Sequence, residues 1–109
     1  MADPAPKTQD WKAWQDLQPG PGRPKLRVTG RVEVTNTNQA PRLGVHVPPG
    51  INPKILMLDL TITSSGPGNA VITWKDARFE TDIEKDQYSS VDILWEGKVI
   101  AHVEVKTVQ

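Results

Sequence analysis

The chain has 109 residues, no cysteine, and 13 Lys and Arg that balance 13 Asp and Glu. That length argues for one domain. The missing thiols exclude disulfides, thiolate metal sites and cysteine nucleophiles. No apolar run reaches the ~18 residues of a membrane span, and zero net charge with few aromatics argues against a nucleic-acid binder, which carries a basic excess.

Ten prolines and eight glycines exceed the usual combined share of ~12% and disfavour a helical protein. Half the prolines fall in the first 24 residues, ending in Pro19-Gly20-Pro21-Gly22-Arg23-Pro24. Proline lacks the N–H that a helix or a ladder needs, so residues 1–23 read as an irregular arm and linker ahead of a β-domain over 24–109. The first seven residues lack the apolar segment of a signal peptide. A soluble chain is expected, and the mature form of an exported protein fits equally well. Within the arm, Asp10 could cap a short helix. Trp11, Trp14 and Leu17 at three-residue spacing would share one face of it. Either a helical turn or an extended arm could dock these side chains on the domain itself. The alternative is docking on a partner or a second copy, with Trp11, Trp14 and Leu17 as contact residues.

Residues 24–109 hold 11 Val, 7 Ile and 8 Thr, a β-branched excess that favours strands. Leu26, Val28, Val32 and Val34 alternate with charged or polar residues, with Gly30 in the same register. This predicts a half-buried strand with a bulge or a close backbone approach at Gly30. Leu43, Val45 and Val47 form the inward face of a second strand, stopped by Pro48-Pro49-Gly50-Ile51-Asn52-Pro53. In a third strand over 54–64, Leu56, Leu58, Leu60 and Ile62 face inward. Ile55 and Met57 on its other face suggest cover on both sides and are candidate contact residues.

Two segments, Leu26-Arg27-Val28-Thr29-Gly30 and Gly50-Ile51-Asn52-Pro53-Lys54-Ile55-Leu56-Met57-Leu58-Asp59-Leu60, together resemble a pattern of small bacterial all-β domains of unknown function. The resemblance implies an all-β protein and no catalytic residues.

A fourth strand over 70–80 points Ile72 and Trp74 one way and Ala77 and Phe79 the other, which predicts a bulge near Lys75–Ala77. Ser90–Trp95 is a fifth strand, Glu96-Gly97 a two-residue hairpin turn, and Val99, Ala101, Val103 and Val105 the apolar face of a sixth. Six or seven strands without an internal helix predict an antiparallel two-sheet sandwich of immunoglobulin-like type. A small barrel is the alternative. The proline-free run from residue 68 onward is expected to supply inner strands.

Glu80, Asp82, Glu84 and Asp86 recur at every second position. Such carboxylates repel unless offset, and calcium takes oxygen ligands. No glycine shapes a calcium loop here, so a solvated acidic patch is favoured over calcium and over a basic partner surface. His46 and His102 lie on outward faces 56 residues apart and offer no local metal pair. No serine sits in a nucleophile elbow, and no phosphate loop occurs. The expectation is therefore a non-enzymatic module without cofactor or metal, whose partner is a protein or a second copy of itself. Residues 1–55 carry +4 and residues 56–109 carry −4, which would steer self-contact if the halves occupied different faces. The alternative function is a carbohydrate- or small-ligand-binding module built on exposed tryptophans.

Overall fold

The computed structural model describes residues 5–17, 24–48 and 50–108. Among them are seven strands and no helix: β1 (Thr8–Asp16), β2 (Lys25–Val34), β3 (Gln39–Val45), β4 (Ile55–Ser64), β5 (Thr73–Asp82), β6 (Ser90–Trp95) and β7 (Lys98–Val108). They form one sheet in the order β3-β4-β6-β7-β1-β2-β5. The end strands β3 and β5 also touch, so the sheet is nearly closed into a barrel.

This corrects the expected antiparallel sandwich. Two ladders, β4 with β6 and β1 with β7, are parallel. The eleven-residue β7 joins the two halves: Lys98–Glu104 pair with β6, and Val105–Val108 pair with β1. A sandwich needs a break between its sheets, and β7 bridges that break. Alternation along a strand reveals which face is apolar but carries no information about which strand lies alongside or in which direction.

The interior is built from alternate residues of these strands. Leu26, Val28 and Val32 of β2, Leu56, Leu58 and Leu60 of β4, and Val91 and Ile93 of β6 are all buried in one cluster. Each contributes roughly 1.5–3 kcal/mol of apolar transfer. Pro41 lies in β3, at an end of the strand order, where a missing donor is tolerated. Glu96 and Gly97 join β6 to β7 with φ of 50° and 82°, the left-handed pair that suits a two-residue hairpin.

The expected bulge in the fourth strand is absent. All ten residues of β5 pair with β2 without a register shift, Lys25 opposite Asp82 through Val34 opposite Thr73. Ile72 precedes the strand and is exposed, and Trp74 pairs with Glu33 on the outer face. Two apolar residues facing outward imitate a change of phase. The bulge lies in β1, where the register shifts between Gln9 and Lys12. Asp10 and Trp11 together oppose Gly30, and Asp10 takes φ 57°.

The segment expected to be irregular therefore holds a strand paired on both sides. Of the expected linker, residues 19–23 lie outside the described residues. The opposed charge halves also meet across one ladder. Lys25 binds Glu80 at 3.2 Å and Asp82 at 3.5 Å, Arg27 binds Glu80 at 3.2 Å, and Arg31 binds Asp76 at 3.7 Å. β2 and β5 thus neutralise one another locally. Solvent screens such exposed pairs, so each adds little to stability.

Candidate functional site

The largest exposed apolar side chains of one barrel end belong to the β3–β4 connection. Ile51 is fully exposed, Val47 is 78% exposed and Val45 53%. The expected inward face of the second strand thus ends early: Leu43 packs on the core, while β3 stops at Val45. Several bonds fix this tip to the barrel. His46 donates its backbone N–H to Met57 O at 2.9 Å, and its Nδ1 lies 3.0 Å from Asp59 Oδ1. Asn52 Oδ1 accepts the N–H of Lys54 at 2.9 Å, a side-chain turn that restricts the loop. Gly50 allows the chain to pass over Met57, since a Cβ there would come within 2.7 Å of its sulfur. Met57 and Ile55 are consequently half-buried, with Met57 lying beneath the tip. Sequence reasoning singled out Ile55 and Met57 as candidate contact residues and did not single out the exposed Val45, Val47 and Ile51. The available signal was one isoleucine in a segment otherwise made of Pro, Gly and Asn, where turn chemistry requires no apolar residue.

The two tryptophans of the first strand separate. Three residues apart in a strand, they fall on opposite faces, and Trp14 opposes Arg27 on the outer face. Trp11 instead packs on the core against Gly30. The helical face that would have joined Trp11, Trp14 and Leu17 does not form. Leu17 lies just past the strand and donates its N–H to Val108 O at 2.8 Å. Trp74 shares the outer face with Trp14 but sits six ladder positions from it on β5, about 20 Å by strand rise. Trp95 packs against the core. The four indoles form no continuous platform.

The acidic series is divided as well. Glu80 and Asp82 are on β5 beside Lys25 and Arg27, and both raise the pKa of Lys25, the bond to Glu80 most. Glu84 and Asp86 lie past the strand end. Asp86, at φ 59°, is bound by Gln15 of β1. Two of the four carboxylates therefore compensate arginine and lysine, and a third anchors a turn. Among the described residues, no group of three or more His, Cys, Asp or Glu is placed to hold a metal ion. No helix of the described residues is long and apolar enough to cross a membrane.

The two histidines occupy one row of the outer face. Met57 pairs with Asp92, and Asp92 with His102, while His46 meets Met57 through its backbone. His102 Nδ1 lies 2.5 Å from Asp92 Oδ1, and its Nε2 lies 3.2 Å from Glu104 Oε1. Asp92 first, then Glu104, raise the imidazole pKa above its ordinary value. The hydrogen bonds of both imidazole rings go to carboxylates. Comparison of the chain with protein-family models, with curated proteins and with solved structures finds no match to any of them.

Proposed function

We propose that this chain is a non-enzymatic β-barrel module that binds a protein partner through the β3–β4 tip. The carrying observation is the exposure of Ile51 and Val47 on a loop held at its flanks by His46 and Asn52. Scattered exposed apolar residues are ordinary, but Val47 and Ile51 lie in one short connection whose flanks are fixed by the bonds of His46 and Asn52. A tethered loop loses little conformational entropy on binding, which favours affinity at small contact area. A second copy and an unrelated protein are both admissible occupants.

The test is site-specific photo-cross-linking in an extract of the source cells, with the photoreactive side chain at position 51 and a control at the exposed Thr61. The expected result is one discrete protein adduct from position 51 that Val47→Lys removes. Absence of an adduct, or the same adducts from position 61, would overturn the reading.

A further inference from the structure

The parallel ladder of β1 with β7 covers only Ala13–Asp16 and Val105–Val108. Before Ala13, β1 follows β2, and before Val105, β7 follows β6. The two strands therefore part toward Lys12 and Glu104, and a wedge of about 650 Å³ opens between them. This lies within the usual ~300–1,000 Å³ of small-molecule sites. Trp11, Ala101 and Val103 supply apolar lining.

Polar groups at the wedge are few and unequal. Trp14 and Lys106 are paired in register at the closed end. Lys12 lies two residues before Trp14 and so opposite Glu104, where the ladder has already ended. Glu104 and His102 also line the wedge and bond to each other at 3.2 Å, so Lys12 toward the mouth and Lys106 at the closed end are the positive groups open to an anion. Beside the wedge, Trp11 Nε1 is buried with no acceptor. The indole meets Gly30 through Cδ2, Cε3 and Cζ3, the side of the ring away from that nitrogen. An orphaned buried donor is unfavourable, and an acceptor in the wedge, met by a tilt of the ring, would relieve it.

We propose that the wedge between β1 and β7 binds a small apolar monocarboxylate, its hydrocarbon part on Ala101 and Val103. One carboxylate oxygen accepts from the Trp11 indole N–H, and the Lys12 and Lys106 ammonium groups balance the charge. Binding requires the indole to tilt on the Gly30 backbone until its N–H reaches the wedge. The site is separate from the β3–β4 tip, so the failure of one proposal leaves the other standing.

The experiment titrates the intact chain with 2-naphthoate and follows the four indole N–H resonances by two-dimensional NMR, with 2-naphthalenemethanol as the neutral comparison. A saturable shift of the Trp11 resonance alone, or with that of Trp14, is expected, and the neutral compound should bind about tenfold more weakly. Ala101→Leu should abolish the shift by filling the wedge, and Lys12→Gln should weaken binding several-fold. A variant is used only where its amide spectrum shows the native dispersion. No saturation, equal shifts at all four indoles, equal binding of the neutral compound, or undiminished binding to Ala101→Leu would each overturn the assignment.

Discussion

Trp11 lies with its indole flat against the backbone of Gly30, at the one place where β1 carries two residues opposite one of β2. The relationship accounts for three features together: a glycine in an otherwise Leu- and Val-lined strand, a left-handed Asp10, and a tryptophan turned into the barrel. The ring occupies the volume that a side chain at position 30 would need.

Gly30→Ala should therefore destabilise the protein by about 1–3 kcal/mol, as overpacking does. Gly44→Ala, where a Cβ meets nothing within 4 Å, should stay within about 0.5 kcal/mol. Urea denaturation of both variants measures the contrast. Equal effects would show that the ring does not press on Gly30.

Lys75 sits where the end strands β5 and β3 meet. It pairs with the buried Val32, and its Nζ donates to Thr37 O and Gln39 O, each at 2.7 Å. Those carbonyls precede and begin β3, so this one side chain ties the two end strands of the sheet together. Lys75→Met keeps the aliphatic stem but removes the donors. It should cost about 1.5–3 kcal/mol, the range for charged hydrogen bonds, and speed amide exchange in β3 more than in β6. Unchanged exchange in β3 would mean that the barrel closes without Lys75.

These residues show why so much of the fold was legible and the closure was not. Alternating Leu and Val located β2, β4 and β7 to within a few residues, because one-sided burial writes a period of two into the sequence. The Glu96-Gly97 turn was legible because both positions need left-handed backbone. β1 was hidden: its inward residues Trp11, Ala13 and Gln15 are not a Leu- or Val-rich series, and the bulge at Asp10 and Trp11 breaks the period ahead of them. Lys75 points inward and reads as a surface residue in any alternation. The site was less legible still, since exposed Ile51 and Val47 carry no periodic signal, whereas Ile55 and Met57 lie in a strand and do.

The His102 carboxylate pair predicts a pH dependence. Its pKa is raised in the folded state, with Asp92 as the largest cause, so the folded protein binds this proton more tightly than the unfolded chain. The resulting stabilisation is fully present below the ordinary value of 6.5 and is lost as pH rises through the raised folded value. Asp92→Asn should move the His102 titration, followed by NMR of the ring C–H, down toward 6.5. The stability gap between wild type and variant should shrink as pH rises. A His102 titration that Asp92→Asn leaves in place would rule out this pair as the cause.

Gln15 offers the sharpest test of how β1 is held. It is 4% exposed, and its amide is shared between two elements distant in sequence. Nε2 donates to Asp86 Oδ1 at 2.7 Å and to Thr107 Oγ1 at 2.8 Å, while Oε1 accepts the Asp86 N–H at 2.9 Å. One side chain thus fastens β1 to β7 and to the turn after β5. Gln15→Leu removes every one of these bonds and should cost about 1–3 kcal/mol. Gln15→Glu should cost more at neutral pH, because a second carboxylate would face Asp86, and the excess should disappear in acid as the carboxyls protonate. Asp86→Asn keeps a residue that tolerates φ 59°, so a double-mutant cycle with Gln15→Leu isolates the pair from backbone strain. Coupling of about 0.5 kcal/mol or more is expected for residues in direct contact. Strict additivity would show that β1 is held by its ladders alone.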